Sequence, residues 1–190
     1  MRKLIVANII SVDGFYSGPN NDVMVMPFDT TFSDYNLERL RAADTLLLGR
    51  RSFEGFRDYW PGIVDDPEQP AVEREISRLN NAIDKVVVSD SLTDADFGPW
   101  TNARIVRRAD AHQAVADLKA GEGRDILVFG SHVLWNELLT AGLVDELHLM
   151  IGSAFLGEGI PVFAGERTEL RLLDVRRLDD SQLILARYGA

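Results

Sequence analysis

Three places in the 190-residue chain end an apolar run in small or charged residues: Leu48 before Gly49-Arg50-Arg51-Ser52, Val88 before Ser89-Asp90-Ser91, and Phe129 before Gly130-Ser131-His132. Where such runs are parallel strands, ligands lie outside their carboxyl ends. Glycine lets the backbone approach a ligand closely, and a following helix presents free N–H groups and a positive dipole end that suit phosphate. Arg50 and Arg51 add positive charge there, and Ser52 adds a hydroxyl. Each feature also has a plainer use: a turn, a solvated arginine pair, a helix cap. Several other chemistries find no support. G-x-G-x-x-G does not follow the first strand, and neither G-x-x-x-x-G-K-[ST] nor G-x-S-x-G occurs. Without cysteine there is no thiolate ligand or nucleophile, and His112, His132 and His148 lack ligand-like spacing, so no metal site is expected.

The elements that must position these residues follow from periodicity. β-Branched or continuous apolar runs predict strands at 3–10, 45–49, 85–89, 103–106, 125–129 and 145–151. Helical spacing predicts helices at 31–43, 51–59, 71–81, 111–120 and 132–141, with 61–70 a Pro-rich loop. Two extended segments, 170–178 and 182–188, flank Asp179-Asp180-Ser181 and predict a β-hairpin. Alternating strands and helices imply an α/β domain with a mostly parallel sheet flanked by helices, and the terminal hairpin makes the sheet mixed. No linker divides the chain, so one domain over 1–190 is expected. The N-terminal run lacks a small-residue cleavage site and no stretch approaches membrane-spanning length, so a cytoplasmic protein with no membrane partner is expected. A net charge of −10 disfavours nucleic acid and anionic lipid, so any site for phosphate must gather its positive charge locally.

Four segments, in order, resemble one family. Leu46 to Phe56, with Gly49-Arg50-Arg51-Ser52-Phe53-Glu54 at its centre, resembles the Gly-Arg-x-Thr-x-Glu segment of dihydrofolate reductases, and more closely that of the reductase domain of the bifunctional riboflavin-biosynthesis deaminase-reductase. Ser11-Val12-Asp13-Gly14 is similar to the Ser-x-Asp-Gly segment of the second group. Ile126 to His132, continuing to Leu143-Val144-Asp145-Glu146-Leu147, resembles its glycine turn, helix and following strand. Phe155-Leu156-Gly157-Glu158-Gly159 with Pro161-Val162-Phe163 resembles its Leu-Gly-x-Gly loop.

The resemblance implies a dihydrofolate-reductase-like fold and NADPH as cofactor. Gly49, Arg50, Arg51 and Ser52 would hold the cofactor's phosphates, Ser89 would sit beside its adenosine, and Gly130, Ser131, His132 and Val133 would cradle the pyrophosphate. Two positions depart from the pattern. Dihydrofolate reductases carry two adjacent glycines where this chain has Gly130-Ser131, and Asp90 places a carboxylate where a 2′-phosphate would be repelled unless Arg50 or Arg51 offsets it. The substrate would be a small heterocycle whose ring nitrogens favour a carboxylate partner. Asp13 is the catalytic candidate, with a turn residue as its alternative; Asp29, also considered, is the better helix cap. Phe15, Phe32 and Trp60 could wall a flat ring, and residues 156–159 could form a gate. The expected activity is that of a 5-amino-6-(5-phosphoribosylamino)uracil reductase in stand-alone form. Dihydrofolate reduction and a non-catalytic NADP(H)-binding protein are the alternatives. The resemblance also implies a homodimer, with Phe155, Leu156, Val162 and Phe163 as the apolar face toward a second subunit.

Overall fold

The computed structural model describes residues 1–190. In chain order the elements are β1 (Leu4–Ile10), β2 (Phe15–Ser17), α1 (Thr30–Ala42), β3 (Ala43–Gly49), α2 (Arg50–Ile63), α3 (Ala71–Ala82), β4 (Asp84–Val88), β5 (Ala103–Val106), α4 (Ala111–Ala120), β6 (Asp125–Phe129), α5 (His132–Thr140), β7 (Glu146–Ile151), β8 (Ile160–Pro161), β9 (Arg171–Arg177) and β10 (Ile184–Gly189). Eight strands form one sheet in the order β5-β4-β3-β6-β1-β7-β10-β9. The first six are parallel, and β10 runs antiparallel to both β7 and β9. This is the expected mixed, mostly parallel sheet with a C-terminal hairpin.

All seven residues of β1 are buried because helices cover both faces of the sheet, which is why such strands read as continuous apolar runs. One face packs Leu37 and Leu40 of α1, Phe53 of α2 and Ile76 of α3 against Ile5, Leu46, Leu48 and Val87. The other packs Val115 of α4 and Leu134, Trp135 and Leu138 of α5 against Val6, Leu47, Val86 and Val128. A third cluster joins Met26 and Tyr35 to Ile9, Met150 and Leu185, and Phe32 and Leu156 pack on it.

Three expectations are corrected. First, α2 continues through Pro61 to Ile63, where a loop is expected after Tyr59. Proline there forgoes a single i→i−4 bond near the helix end, and the segment is anchored where Ser77 Oγ donates to the Trp60 carbonyl at 2.6 Å. Second, β2 and β8 pair with each other antiparallel. Strands of three and two residues are too short to carry a period. Third, the expected apolar face is not uniformly exposed: Val162 and Phe163 are half-buried against the core under α5, whereas Phe155 is 77 % exposed. No helix is long and apolar enough to cross a membrane.

Candidate active site

The strand order brings together two of the three chemistry-bearing exits. β6 lies between β3 and β1, so Gly49, at the end of β3, meets the Gly130-Ser131 turn that follows β6. Side chains lace this junction. The Gly49 amide donates to Ser131 Oγ (3.0 Å), the Ser131 amide to Ser52 Oγ (2.7 Å), and the Gly130 amide to Asn8 Oδ1 (2.9 Å). Both turn residues are left-handed, Gly130 at φ 58° and Ser131 at φ 54°. For serine this conformation is uncommon, and the Ser52 and Gly49 contacts hold it. A Cβ on Gly130 would sit 2.9 Å from Ser52 Oγ and 3.3 Å from Tyr16 Oη, so glycine is what lets these two hydroxyls pack against the turn.

Two helices start here. In α5 the first helical bond runs from the Trp135 amide to the Ser131 carbonyl, leaving the amides of His132, Val133 and Leu134 without an intrahelical acceptor. α2 begins directly after Gly49 with no side-chain cap, so the amides of Arg50, Arg51 and Ser52 are likewise free of helical partners. Two helix N-termini a few residues from one glycine turn present free amides and positive dipole ends of the kind that suit an anion. Arg50 is paired to Glu54 at 3.2 Å, whereas Arg51 is exposed and takes part in none of the chain's ion pairs.

The other expected residues divide. Val133 is exposed beside the free amides, in place for a backbone contact. The His132 ring turns away from the helix start: Nε2 is 3.1 Å from the Val162 carbonyl, and the ring stacks on Tyr16 with centroids 5.0 Å apart. Burial lowers its pKa, against the raising effect of the carbonyl contacts, so it is a neutral donor and only its amide faces the anion site. At the third exit Ser89 is buried, and its hydroxyl oxygen accepts the amides of Ser91 (3.2 Å) and Leu92 (3.1 Å), which shapes the turn after β4. Asp90 stands outside that turn, where its Oδ1 accepts the Arg108 amide at 3.0 Å.

Asp13 is corrected as a proton-delivering group. Its carboxylate accepts from Ser11 Oγ (2.6 Å), the Leu156 amide (3.1 Å) and the Gly157 amide (2.8 Å). The Ser11 hydroxyl above all, with the two amides, outweighs desolvation and holds its pKa at about 2. It is therefore an ionised staple between the turn after β1 and the 156–157 turn. Asp29 caps α1, accepting the Phe32 amide at 2.9 Å, as its sequence context suggests. Phe15 and Phe32 are half-buried at the end of the sheet where β1 and β7 exit, Phe32 tilted against Phe28 at 4.8 Å. Trp60 is not brought there. Ten residues from the start of α2, it lies about 15 Å along the helix and packs in the cluster of Ile76 and Trp100.

Two residues at the junction fall outside the sequence-derived set. Tyr16 places its hydroxyl over Gly130; burial raises its pKa to about 12, so it remains a donor. Asn8 is 5 % exposed, and its Nδ2 has no hydrogen-bond partner. Its signal was available, as the one polar residue inside Leu4–Ile10.

A model of the RibD C-terminal domain family matches residues 2–184. The chain is 32% identical over 179 residues to YyaP of Bacillus subtilis (strain 168), an uncharacterized protein, covering 92% of this chain and 88% of that one. Solved structures similar in fold include RibD of Acinetobacter baumannii (TM-score 0.69, 15% identity, 100% of this chain and 58% of that chain). Another is the diaminohydroxyphosphoribosylaminopyrimidine deaminase/5-amino-6-(5-phosphoribosylamino)uracil reductase of Thermotoga maritima (TM-score 0.66, 11% identity, 99% and 56%). A third is a pyrimidine reductase-like protein of Corynebacterium diphtheriae (TM-score 0.61, 17% identity, 99% and 91%).

Proposed function

The chain belongs to the RibD C-terminal domain family, a family of riboflavin-pathway reductase-like proteins, and we propose from that premise that it is an NADPH-dependent reductase of a small heterocycle of the ribosylaminouracil type. The observation that carries this reading is the junction at Gly130, where two helix N-termini converge on one glycine turn and leave their first amides without helical acceptors. Such a junction fits a dinucleotide's pyrophosphate, and the free Asn8 Nδ2 and Tyr16 hydroxyl fit further polar atoms of the same ligand.

The bound cofactor would supply the hydride; the rest of the work falls to the chain. The amides of Arg50 to Ser52 and His132 to Leu134 would hold the pyrophosphate. Arg51, without an acidic partner, would meet the 2′-phosphate and offset Asp90. Phe15 and Phe32 would flank the substrate ring, and the Asp13 staple would fix the 156–157 turn beside it. Because Asp13 is ionised and Asp29 caps a helix, neither offers a proton to a ring nitrogen. This favours one second reading, an NADP(H)-binding protein without turnover, over dihydrofolate reduction. Oxidation of NADPH when a ribosylaminouracil is offered separates the two.

The deciding experiment is a thermal-shift titration with NADPH and NADH in parallel, with Arg50→Ala/Arg51→Ala as control. A ligand that binds only the folded state adds about 2.7 kcal/mol at a hundredfold excess over Kd. The expected result is a shift with NADPH, smaller with NADH and lost in the control. No shift with either cofactor would overturn the reading.

A further inference from the structure

Charge at the carboxyl end of the sheet is divided between two sides. Residues 4–38 and 125–166 supply β1, β2, the first part of α1, β7, β8 and the 152–159 turn, and they contain no lysine or arginine. They do contain Asp13, Asp22, Asp29, Asp34 and Glu158. The arginines near the junction, Arg50, Arg51 and Arg57, all stand on α2.

On the side of Phe15 and Phe32, the groups that could receive an anion are already filled by the chain's own carboxylates. The amides of Leu156 and Gly157 both donate to Asp13, at 3.1 and 2.8 Å. The N-terminus of α1 is capped by Asp29, whose second oxygen accepts Ser181 Oγ at 2.5 Å. By contrast, α2 and α5 start without a side-chain cap. Backbone donors are thus open toward the proposed pyrophosphate and closed toward the proposed substrate ring. Arginines elsewhere do not make up the difference. Arg50 is paired with Glu54, and Arg57 with Asp58, its Nη1 donating to the Asp96 carbonyl. Arg39 is paired with Glu38 and lies about 10 Å along α1 from Phe32. Arg176 and Arg177 are on β9, two strands and about 10 Å from β7. The rim is apolar: Val12 is 49 % exposed, Phe28 is exposed beside Phe32, and the Val12 amide donates to the Ala154 carbonyl at 2.9 Å, next to the exposed Phe155.

Resting on the reductase reading above, we propose that the substrate carries no phosphate: the site takes a neutral ribosylaminouracil and discriminates against its 5′-phosphate through the acidic, cation-free wall formed by Asp13, Asp29 and the 156–157 turn. A phosphate dianion brought to this wall gives up water and meets like charge, with no arginine or free amide to replace its hydration. A neutral ribosyl group meets no such penalty, because its hydroxyls can donate to carboxylates. Selectivity of this kind comes from repulsion of the wrong ligand as much as from attraction of the right one.

NADPH oxidation by the full chain at saturating NADPH, with 5-amino-6-ribosylaminouracil and its 5′-phosphate as paired probes, tests the assignment. The unphosphorylated compound is expected to have a kcat/KM at least about tenfold higher. Added salt is expected to lower KM for the phosphorylated compound alone, because it screens repulsion between exposed charges. Phe155→Arg, which sets a cation on the rim, is expected to narrow the preference. Equal or reversed preference would overturn the inference and leave the reductase reading standing. A preference that neither salt nor Phe155→Arg changes would assign the discrimination to shape and overturn the charge argument. A thermal shift with NADPH but oxidation with neither compound would overturn both the inference and the substrate class on which it rests.

Discussion

Gly130 marks the point where one absent side chain decides what the junction can hold. Alanine there would bring a Cβ within 2.9 Å of Ser52 Oγ at a φ of 58°. The left-handed backbone alone costs a non-glycine residue about 1–2 kcal/mol. Gly130→Ala is therefore expected to lower stability by about that amount in urea unfolding and to abolish the NADPH-dependent thermal shift; a retained shift would mean that the ligand does not approach this turn. Asp13 acts through loop order. Its depressed pKa makes its contribution fully present above the ordinary carboxylate value of 3.8 and lost as pH falls through about 2. At neutral pH, Asp13→Ala is expected to speed amide hydrogen exchange at Leu156 and Gly157 while leaving exchange in β1 unchanged.

Between elements, the junction depends on hydroxyls more than on apolar packing. Ser52 belongs to α2, yet its oxygen satisfies the amide of Ser131, a residue 7 % exposed at the start of α5. Ser52→Ala leaves that amide without a partner, at about 1–3 kcal/mol. Ser52→Thr keeps the oxygen and should recover most of the loss; equal destabilisation by both variants in chemical denaturation would show that volume, not the hydrogen bond, matters there.

Across the whole molecule, buried charge ties the hairpin to the centre of the sheet. His148 of β7 is fully buried between Tyr35 Oη, 2.8 Å from Nδ1, and Glu146 Oε2, 2.9 Å from Nε2. Lys3 and Arg187 bind the same Glu146 at 2.7 and 2.8 Å. The Arg187 guanidinium also faces this ring, its Nε 3.3 Å from Nε2, and burial first, against the pull of Glu146, lowers the pKa of His148 below 6.5. Burial pushes Glu146 upward, but the hydrogen bonds from Lys3, Arg187 and His148 prevail and leave it at about 2. The two shifts act in the same direction. Below pH 6.5 the unfolded chain takes up protons that native His148 and His132 refuse, and below about 4.5 it takes up one that Glu146 refuses. The melting temperature is expected to fall from pH 7 to pH 5 and more steeply from pH 4.5 toward pH 2. His148→Gln should flatten the first segment; an unchanged slope there would assign the proton uptake elsewhere.

The sequence alone located the strands of the main sheet and most of each helix, because burial on both faces of a parallel sheet writes itself as unbroken apolar runs and the helices show their own period; the end of α2 and the short β2–β8 pair lay beyond that signal. It also determined that glycine and hydroxyl residues follow three of those strands, and four spaced segments marked the family. Periodicity, however, is a local signal, and it carries no record of which strands become neighbours. Only the tertiary structure inserted β6 between β3 and β1, setting Ser52 beside Ser131 and Asn8 beside Gly130. The same packing turned the hydroxyl of Ser89 inward, committed Asp13 to a loop, and left Trp60 along α2 from the junction. Side-chain direction at these positions is set by contacts between residues far apart in the chain, and those contacts exist only once the sheet has assembled.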